Sequence, residues 1–503
     1  MPFSKNDIVC ALKDWESKLK EVEYLGKYSL KHRKESLKER LERYKEFTEK
    51  LLEDEKELLD YLKSLNDGTY KFSPFKVFYV ANPYFGKMRL TLQVPFEESK
   101  GEKVPKGFKD ILTIKLLSKA LKNRWFRDVA YNVRDRVIGD LLKTLKRANE
   151  QEEYVILRGD FRNYTLNIPR KRLLELLKGR IEEPAVVKLV ENYLTTPNQV
   201  SAKFHSLGRL DKFFSSHYGD AFEKDSDFKA MTNTDGVVPG TPLSTALGWI
   251  FLHRFDRFVK EELLKGKGFY ARFLDDFIIV VPKERYGDFE KRIRGFLSEH
   301  YGVSEDWVKE NLVKLEKPRR TSEDTEFDFL GYLFRFKKGK LDKTSVRYKT
   351  IKKFLYKYLY EYSFDRYRRK FPQISCQECD DECLKLIKNY LTAKAVYLNQ
   401  WLLSFIHIND KKLLDDLFRF YILPNLYKEA KRFKKICPQL NVEKFVREIR
   451  NFFKPTLIHR QLVKRPKDKP LKEFLKERFQ KVEEEIAKAV EKHFKSHQRE
   501  VQN

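Results

Sequence analysis

Cysteine is scarce in this chain, with five residues among 503. So few thiols argue against a disulfide framework and favour a reducing compartment. Long apolar runs are missing as well. The segment from Met1 to Cys10 contains no apolar signal segment of useful length, and no later stretch approaches the length of a transmembrane helix. These absences predict a cytoplasmic protein with no membrane partner.

Acidic side chains are in the minority, since 75 Asp and Glu face 104 Lys and Arg, which gives a formal net charge of +29. A polyanion is the natural partner of such a chain, because each neutralised phosphate releases condensed counterions. Aromatic residues make up 14% and include 40 Phe and 26 Tyr. Their rings supply core volume and faces on which unpaired bases stack. Composition therefore favours a nucleic-acid partner, although many basic proteins are merely soluble.

The length predicts two to four domains. Residues 1–66 alternate charged side chains with Leu, Tyr and Phe at helical spacing, which predicts a helical N-terminal extension. Residues 67–155 combine a hairpin pattern with helices, and residues 156–340 contain the strongest strand patterns. Within them, residues 195–235 are polar and broken, which indicates an inserted loop region. Residues 341–503 predict a separate all-α domain resembling a helical repeat.

Two adjacent acids, Asp275 and Asp276, lie between two apolar arms, Phe273-Leu274 and Phe277 to Val281. The arms are rich in residues that strands favour, so the acids are expected in a tight strand-to-strand turn. Adjacent carboxylates repel each other unless a cation neutralises them. Mg²⁺ prefers oxygen ligands, and two such ions that clamp the attacking and leaving oxygens are the usual solution for nucleotidyl transfer. Taken alone, an Asp-Asp pair is also a common solvated turn.

A third acid, Asp160, ends a buried-type strand that begins at Tyr154. Backbone N–H groups in the following turn, together with the charge of Arg162, are suited to receive a triphosphate. Between the two acid sites lies the sequence Gly-Val-Val-Pro-Gly-Thr-Pro-Leu-Ser, residues 236–244. Its glycines allow close backbone approach to a nucleotide or template, and Thr241 and Ser244 are placed to cap the next helix.

The order of these segments resembles the successive palm motifs of reverse transcriptases, especially the bacterial group II intron-like set. The segments are Asp160, residues 236–244, Phe273-Leu-Asp-Asp276 and Phe327-Asp-Phe-Leu-Gly-Tyr332. Upstream, residues 133–138 resemble the fingers motif more loosely, since Tyr131 stands where the family usually has proline. The resemblance covers roughly residues 110–340. It implies an α+β fold of the right-hand polymerase type, with fingers at 67–155, an antiparallel palm sheet with helices at 156–340, and a thumb replacement at 341–503.

The resemblance also implies the site. Asp160, Asp275 and Asp276, with Phe161, are expected to bind Mg²⁺ or Mn²⁺ while a primer hydroxyl attacks the α-phosphate in line and pyrophosphate leaves. Lys317 stands ten positions before Phe327, where the family often has a general acid; Lys314 is the runner-up, and a solvated lysine is the ordinary alternative. The implied nucleotide-binding residues are Arg127, Arg136, Arg162, Asn163, Tyr164, Thr165, Pro239, Gly240 and Lys317.

Two positions depart from the family pattern. Pro239 stands where most relatives carry Gln, and proline cannot donate a side-chain hydrogen bond to the nucleotide or template. Thr165, next to Tyr164, stands where an aromatic side chain normally excludes a 2′-hydroxyl. Phe273 is the aromatic residue that the family usually has two positions before the acidic pair. These departures leave the sugar choice, dNTP or NTP, and ordinary templating open.

A palm followed by a large helical domain is similar to the abortive-infection and other defence-associated reverse transcriptases of bacteria. No His-Asn-His endonuclease, zinc-finger nuclease or retron-type Val-Thr-Gly pattern is present. This resemblance implies an RNA-directed DNA polymerase that uses dNTPs in antiphage defence, with a noncoding RNA as template or scaffold, a DNA product and assembly into a homo-oligomer. Template-independent or protein-primed synthesis, an intron maturase and a catalytically inactive RNA-binding scaffold stay open.

One cysteine cluster has two interpretations. Cys376, Cys379 and Cys383 have spacings that fit one zinc ion, with His407 as a fourth ligand. The segment is also acidic, lacks a clear second half and has the pattern of a helix start.

Overall fold

The computed structural model describes residues 2–26, 33–82, 87–94, 104–147, 152–200, 236–369, 371, 374, 379–466 and 468–494. The architecture is α+β with mainly antiparallel sheets, which confirms the expected α+β class, while the fingers and palm arrangement stays a prediction. The chain divides into two compact units. The first contains residues 1–18, 41–137 and 151–320, and the second contains residues 19–40, 138–150 and 321–503. The sequence-derived domain boundaries stay predictions.

Three helices begin the chain, over the segment in which helical spacing predicted them: Lys5–Gly26, Arg33–Glu53 and Glu55–Asn66. The third starts where it does because the side chain of Asp54 accepts a hydrogen bond from the backbone N–H of Glu57 at 3.1 Å. Such a cap satisfies a donor that has no partner inside the helix.

In the first unit, strands β1 (Phe75–Asn82), β2 (Lys87–Gln93) and β4 (Asn198–Val200) form a three-stranded sheet in the order β2-β1-β4. The antiparallel β1–β2 pair is the hairpin predicted within residues 67–155. Strand β4 lies at the start of the predicted loop region 195–235, of which residues 201–235 lie outside the described residues. Further helices between residues 104 and 310 are Lys106–Ala120, Arg134–Leu145, Arg170–Lys178, Pro184–Thr195, Pro242–Phe251, His253–Arg257, Phe289–Tyr301 and Glu305–Trp307.

The central sheet of the first unit contains β3 (Tyr154–Phe161), β5 (Phe269–Phe273), β6 (Asp276–Pro282), β7 (Val313–Leu315) and β8 (Arg319–Arg320). Its order is β5-β6-β3-β7, and β8 also pairs with β3. The β6 residues from Phe277 to Val281 have no exposed surface. A strand that is covered on both faces reads as a continuous apolar run rather than an alternation, which is the pattern seen here.

In the second unit, β9 (Thr325–Phe329), β10 (Tyr332–Lys337) and β11 (Lys340–Val346) form an antiparallel sheet. Helices account for most of the rest, as predicted for the last third of the chain: Tyr348–Tyr356, Phe364–Arg368, Asp381–Leu403, Lys411–Leu417, Leu423–Ile436, Val442–Ile449, Pro455–Val463 and Leu471–Phe494. A π-helical segment, Lys357–Glu361, directly continues the first of these. Among the described residues, every helix is too short or too polar to span a bilayer.

The cysteines behave differently from the prediction. Cys379 and Cys437 form a disulfide across 58 residues of sequence, with Cα atoms 4.9 Å apart, so the inference against disulfides was wrong for this pair. A disulfide sulfur is not a thiolate ligand, which removes the predicted three-cysteine zinc site; Cys376 lies outside the described residues. The helix-start interpretation is confirmed, because Asp380 caps helix Asp381–Leu403 by accepting the N–H of Cys383 at 2.7 Å. Disulfide pairing cannot be read from cysteine spacing alone.

Candidate active site

The acidic pair lies at a two-residue hairpin loop. Strands β5 and β6 pair up to Phe273 and Asp276, so only Leu274 and Asp275 remain in the loop, and the tight turn predicted from the apolar arms is present. Leu274 has φ of +57°, a value that glycine or asparagine adopts more readily than a branched residue. The loop conformation is therefore strained and needs support from its surroundings.

That support comes from Arg272, whose side chain is fully buried. Its Nε and Nη2 donate to the two carboxylate oxygens of Asp256, each at 2.7 Å, and its Nη1 donates to the carbonyl oxygen of Leu274 at 2.8 Å. Tyr270 donates its hydroxyl to Asp256 at 2.6 Å. Burial alone would lower the pKa of Arg272, but the charge and hydrogen bonds of Asp256 raise it overall. The guanidinium stays charged and holds the loop from inside the fold.

The pairing of β3 with β6 brings in the third acid. The two strands are antiparallel, and Asp160 stands directly opposite Asp276. The N–H of Phe161 donates to the carbonyl oxygen of Asp275 at 3.0 Å. Opposed residues of an antiparallel pair share one face, with Cβ atoms about 5 Å apart. The three acidic residues, each partly exposed, therefore lie near one another along the backbone at one edge of the central sheet.

Basic side chains flank this edge. On the other side of β3, Lys314 of β7 stands opposite Asp160. Two residues before Asp160, Arg158 contacts Asp276 (Nη2 to Oδ1, 3.3 Å) and Glu316 (Nη1 to Oε1, 3.1 Å). Lys317 follows the end of β7 and is exposed, so strand pairing aligns Lys314, not Lys317, with Asp160. The sequence reasoning missed Arg158, although residues i and i+2 of a strand share a face.

The donor set suits a hard divalent cation, because three carboxylates supply the oxygen ligands that Mg²⁺ prefers. Their side chains do not converge, however. Within the described ranges, no group of three His, Cys, Asp or Glu side chains is arranged to hold a metal ion. Asp276 is instead ion-paired to Arg158. A shared ion at Asp160, Asp275 and Asp276 therefore requires side-chain rotation, whereas the backbone register already places the three residues together.

The turn after Asp160 contains the predicted triphosphate residues. Arg162 and Asn163 are exposed, and Arg162 donates to the carbonyl oxygen of Glu310. Tyr164 is buried, with 5% of its surface exposed, and donates its hydroxyl to the carbonyl oxygen of Gly248. Burial raises the pKa of this phenol. As placed, Arg162 and Asn163 face solvent while the Tyr164 ring belongs to the core.

Thr165 connects this turn to residues 236–244. Its carbonyl oxygen accepts the N–H of Val237 at 2.7 Å. A Cβ added at Gly236 would lie 1.9 Å from the carbonyl oxygen of Leu166, so only glycine fits there. The close backbone approach predicted for this glycine is therefore made to the chain itself, and it holds the two motifs side by side.

The second half of residues 236–244 is tied to β2 and to a helix. The carbonyl oxygen of Pro239 accepts the N–H of Leu92 at 2.7 Å, and Gly240 is exposed with φ of +128°. Thr241 and Ser244 form a reciprocal capping box at the start of helix Pro242–Phe251, which confirms their predicted role. Pro239 and Gly240 thus lie at the junction between the small sheet and that helix, where the positive φ of residue 240 favours glycine.

The fingers-like segment contacts the hairpin through a polar side chain. Asn132 donates its side-chain amide to the carbonyl oxygen of Arg272 at 2.6 Å. Arg127 is exposed and donates to the carbonyl oxygen of Asn123, and Arg136 is exposed on helix Arg134–Leu145. The segment next to the predicted arginines is therefore anchored to the strand that ends at the acidic loop.

Comparison with known proteins does not assign this chain to a family. No family model matches the chain, and no curated protein matches it. Among the solved structures that match is telomerase from Candida albicans, determined in complex with the TWJ fragment of telomeric RNA, at 13% identity. The alignment covers 81% of this chain and 68% of that chain, with a TM-score of 0.37. A likeness at this level carries no argument about function.

Proposed function

We propose that this protein is an RNA-directed DNA polymerase of the reverse transcriptase type, with fingers at residues 67–155 and a palm at residues 156–340. The observation that supports the proposal most is the β3–β6 register, which sets Asp160 opposite Asp276 and beside the strained loop that contains Asp275. Acids on adjacent strands and at a hairpin tip suit nucleotidyl transfer, because this reaction uses divalent cations that stabilise the attacking and the leaving oxygens, and carboxylates can hold such cations.

In this proposal Asp160, Asp275 and Asp276, with Phe161 beside them, hold Mg²⁺ or Mn²⁺. The ions supply activation of the primer hydroxyl and neutralisation of the charge that develops on the leaving pyrophosphate. Lys314 is the better candidate for the general acid than Lys317, because it stands opposite Asp160 in the sheet. Arg162 and Asn163, which reach solvent beside the acids, are proposed to meet the triphosphate.

The sugar preference is proposed to be less strict than in relatives with an aromatic residue at the position of Thr165. The adjacent Tyr164 is committed to the core through its bond to Gly248, so its ring is not free to replace the missing aromatic. Assays with each dNTP and NTP measure this directly. Thr165→Phe is expected to increase the preference for dNTPs by about tenfold, the lower end of the discrimination that one methylene-sized difference gives in an apolar pocket.

The biological role is proposed from the sequence resemblance: antiphage defence in the cytoplasm, with a noncoding RNA bound and a homo-oligomeric assembly. An inactive RNA-binding scaffold is the second candidate. The observation in its favour is that the three carboxylates do not converge and that Asp276 is paired with Arg158. Loss of phage protection in Asp160→Ala cells supports the enzyme, and protection without any nucleotide incorporation supports the scaffold.

The experiment that separates the alternatives adds each dNTP to purified protein and Mg²⁺, with and without an RNA template. A templated polymerase yields products that follow the template, whereas a template-independent enzyme extends without one. A scaffold binds RNA and incorporates nothing. Sequencing the nucleic acid that copurifies from cells, with and without phage, identifies the template, and splicing of an added intron would identify a maturase.

A further inference from the structure

The first helix after the β9–β11 sheet has an exposed aromatic face. Tyr348 is 74% exposed, Tyr356 44% and Tyr360 59%. Eight large apolar or aromatic side chains among the described residues are at least 44% exposed, and three of them lie in the 14 residues from Tyr348 to Glu361. Scattered exposed apolar residues need no explanation, but a cluster in one helix does.

The exposed residues follow one line along the helix surface. Tyr348, Lys352, Tyr356 and Tyr360 are spaced four residues apart, and all four are exposed. The ring centroids of Tyr356 and Tyr360 are 5.7 Å apart. We call these four residues the tyrosine stripe. At about 1.5 Å per residue it is roughly 18 Å long, which matches on the order of five nucleotides at a stacked spacing of 3.4 Å.

The opposite face of the helix is fixed to the second unit. Phe354 is buried and stacks on Trp401, with ring centroids 4.2 Å apart and planes 23° apart. Tyr358 is fully buried, and the ring of Tyr362 packs edge-on against Tyr397 at 4.8 Å. Because these inner contacts hold the helix, the stripe is preorganised, and the helix does not have to become ordered when a ligand binds.

The charge around the stripe is strongly positive. From Arg347 to Glu361 the chain carries five basic residues, Arg347, Lys349, Lys352, Lys353 and Lys357, against the single acid Glu361. Arg347 is paired with Asp328 at 2.8 Å, so the four lysines supply the positive surplus. This density exceeds that of the whole chain, whose net charge of +29 is spread over 503 residues. Aromatic faces interleaved with lysines are the combination that binds unpaired bases and their phosphates together.

We propose that the tyrosine stripe is a binding surface for single-stranded nucleic acid, with bases stacked on Tyr348, Tyr356 and Tyr360 and phosphates contacted by Lys349 and Lys352. Single strands are favoured over duplexes because exposed ring faces stack only on bases that are not already paired and stacked. Such binding does not require the proposed catalytic site to be active.

The test measures binding of a fluorescent 20-mer of oligo(dT) to the full-length Asp275→Ala protein in EDTA, where no synthesis takes place. Tyr356→Ala is expected to weaken binding at least fivefold and Tyr356→Phe less than twofold, since about 1 kcal/mol or more accompanies each stacked base and Phe keeps the ring. The triple change Tyr348→Ala, Tyr356→Ala and Tyr360→Ala is expected to weaken it by roughly 100-fold or more.

A salt series tests the phosphate contacts. Lys352→Gln is expected to reduce the slope of log affinity against log salt by about 0.7, the value for one phosphate contact to a single strand. The control Lys488→Gln changes a lysine of 73% exposure on helix Leu471–Phe494 and is expected to leave the slope unchanged. Circular dichroism and the melting temperature verify that each variant folds. Both are expected to match the parent protein, because an exposed tyrosine contributes little to packing.

Three outcomes would overturn the inference. The first is equal oligo(dT) binding by the triple variant and the parent protein. The second is a loss of duplex binding as large as the loss of single-strand binding. The third is unchanged oligo(dT) binding with lost binding to phosphatidylserine vesicles or lost self-association in sedimentation, which would assign the stripe to a membrane or to a second copy of the chain.

Discussion

At the scale of single residues, Arg272 and Asp256 form the ion pair on which the acidic loop rests. Both side chains are buried, at 0% and 7% exposure, and the pair is bidentate. A buried pair contributes little net stability compared with apolar residues, but removal of one partner leaves an uncompensated charge in the core. The same guanidinium also donates to the carbonyl oxygen of Leu274, so the ion pair links core stability to the loop.

Arg272→Met is therefore expected to lower the free energy of unfolding by about 3–5 kcal/mol, because Asp256 is left buried with the Tyr270 hydroxyl as its remaining donor on β5. Denaturant unfolding measures the change. The matched control is Arg257→Met, whose side chain is 61% exposed and paired with Glu261, and which is expected to leave stability unchanged. Equal stability of the two variants would show that the buried pair does not hold the hairpin.

Gly159, the residue before Asp160, is the second position at which the structure restricts the side chain. A Cβ at this position would lie 2.1 Å from Cζ of Phe277, and the Phe277 ring is itself packed against Phe161 and Phe255. Gly159→Ala is expected to reduce the free energy of unfolding by about 1–3 kcal/mol through overpacking and to reduce nucleotide incorporation through displacement of Asp160.

The matched control for Gly159 is Gly295→Ala, in helix Phe289–Tyr301, where the nearest atom to an added Cβ is 3.6 Å away. Alanine in a helix interior is expected to stabilise by about 0.5–1 kcal/mol. Thermal melts of the two variants should therefore shift in opposite directions. If Gly159→Ala changes neither stability nor nucleotide incorporation, the Phe277 ring moves to make room for the methyl group without displacing the sheet.

At the scale of elements, the sequence predicted the local features and missed the long-range ones. The hairpin at Asp275 was predictable because strand propensity and the two-residue loop are encoded within a dozen neighbouring residues. The caps at Thr241 and Ser244 were predictable for the same reason. Asp160 entered through its place in the motif order, and its register against Asp276 required the folded sheet.

The residues that were missed depend on distant partners. The role of Arg272 could not be predicted from the sequence, because nothing local indicates that Asp256 meets it in the core. The Cys379–Cys437 disulfide joins residues 58 positions apart, and pairing across such a distance is set by the packing of helices rather than by spacing. The resemblance implies that Tyr164 contacts the nucleotide, yet its ring fills the core beneath the turn.

At the scale of the whole molecule, the second unit contains a charge that makes stability depend on pH. Lys394 is fully buried beside the rings of Tyr358 and Tyr390, with Glu429 and Asn425 nearby. Burial lowers the pKa of this lysine from 10.5 to about 8, although Glu429 acts in the opposite direction. The unfolded chain thus binds the proton more tightly than the folded chain does.

The sign of the pH effect follows from linkage. Below pH 8 Lys394 is charged in both states and the desolvation penalty applies in full; between pH 8 and 10.5 the folded state loses its proton first, so the penalty falls and stability rises. The stability difference between Lys394→Met and wild type is expected to shift by about 2 kcal/mol in favour of wild type from pH 7 to pH 10. Urea unfolding at several pH values measures this difference.

The exposed lysine Lys488 provides the control, since Lys488→Met removes the same charge from a side chain of 73% exposure. Its stability difference from wild type is expected to stay constant over the same pH range. If the Lys394→Met difference is also constant, the folded protein already stabilises the ammonium fully through Glu429 and its polar neighbours.

The proposed polymerase site is tested most directly by the rate of single-nucleotide incorporation in the presence of Mg²⁺ by wild type, Asp275→Asn and the exposed-acid control Asp306→Asn. We expect incorporation by wild type and the control, and a loss of at least about 10³-fold in Asp275→Asn, because a neutral amide replaces a metal-binding carboxylate in the proposed site. Equal rates for all three proteins would contradict the assignment of Asp160, Asp275 and Asp276 as a polymerase active site.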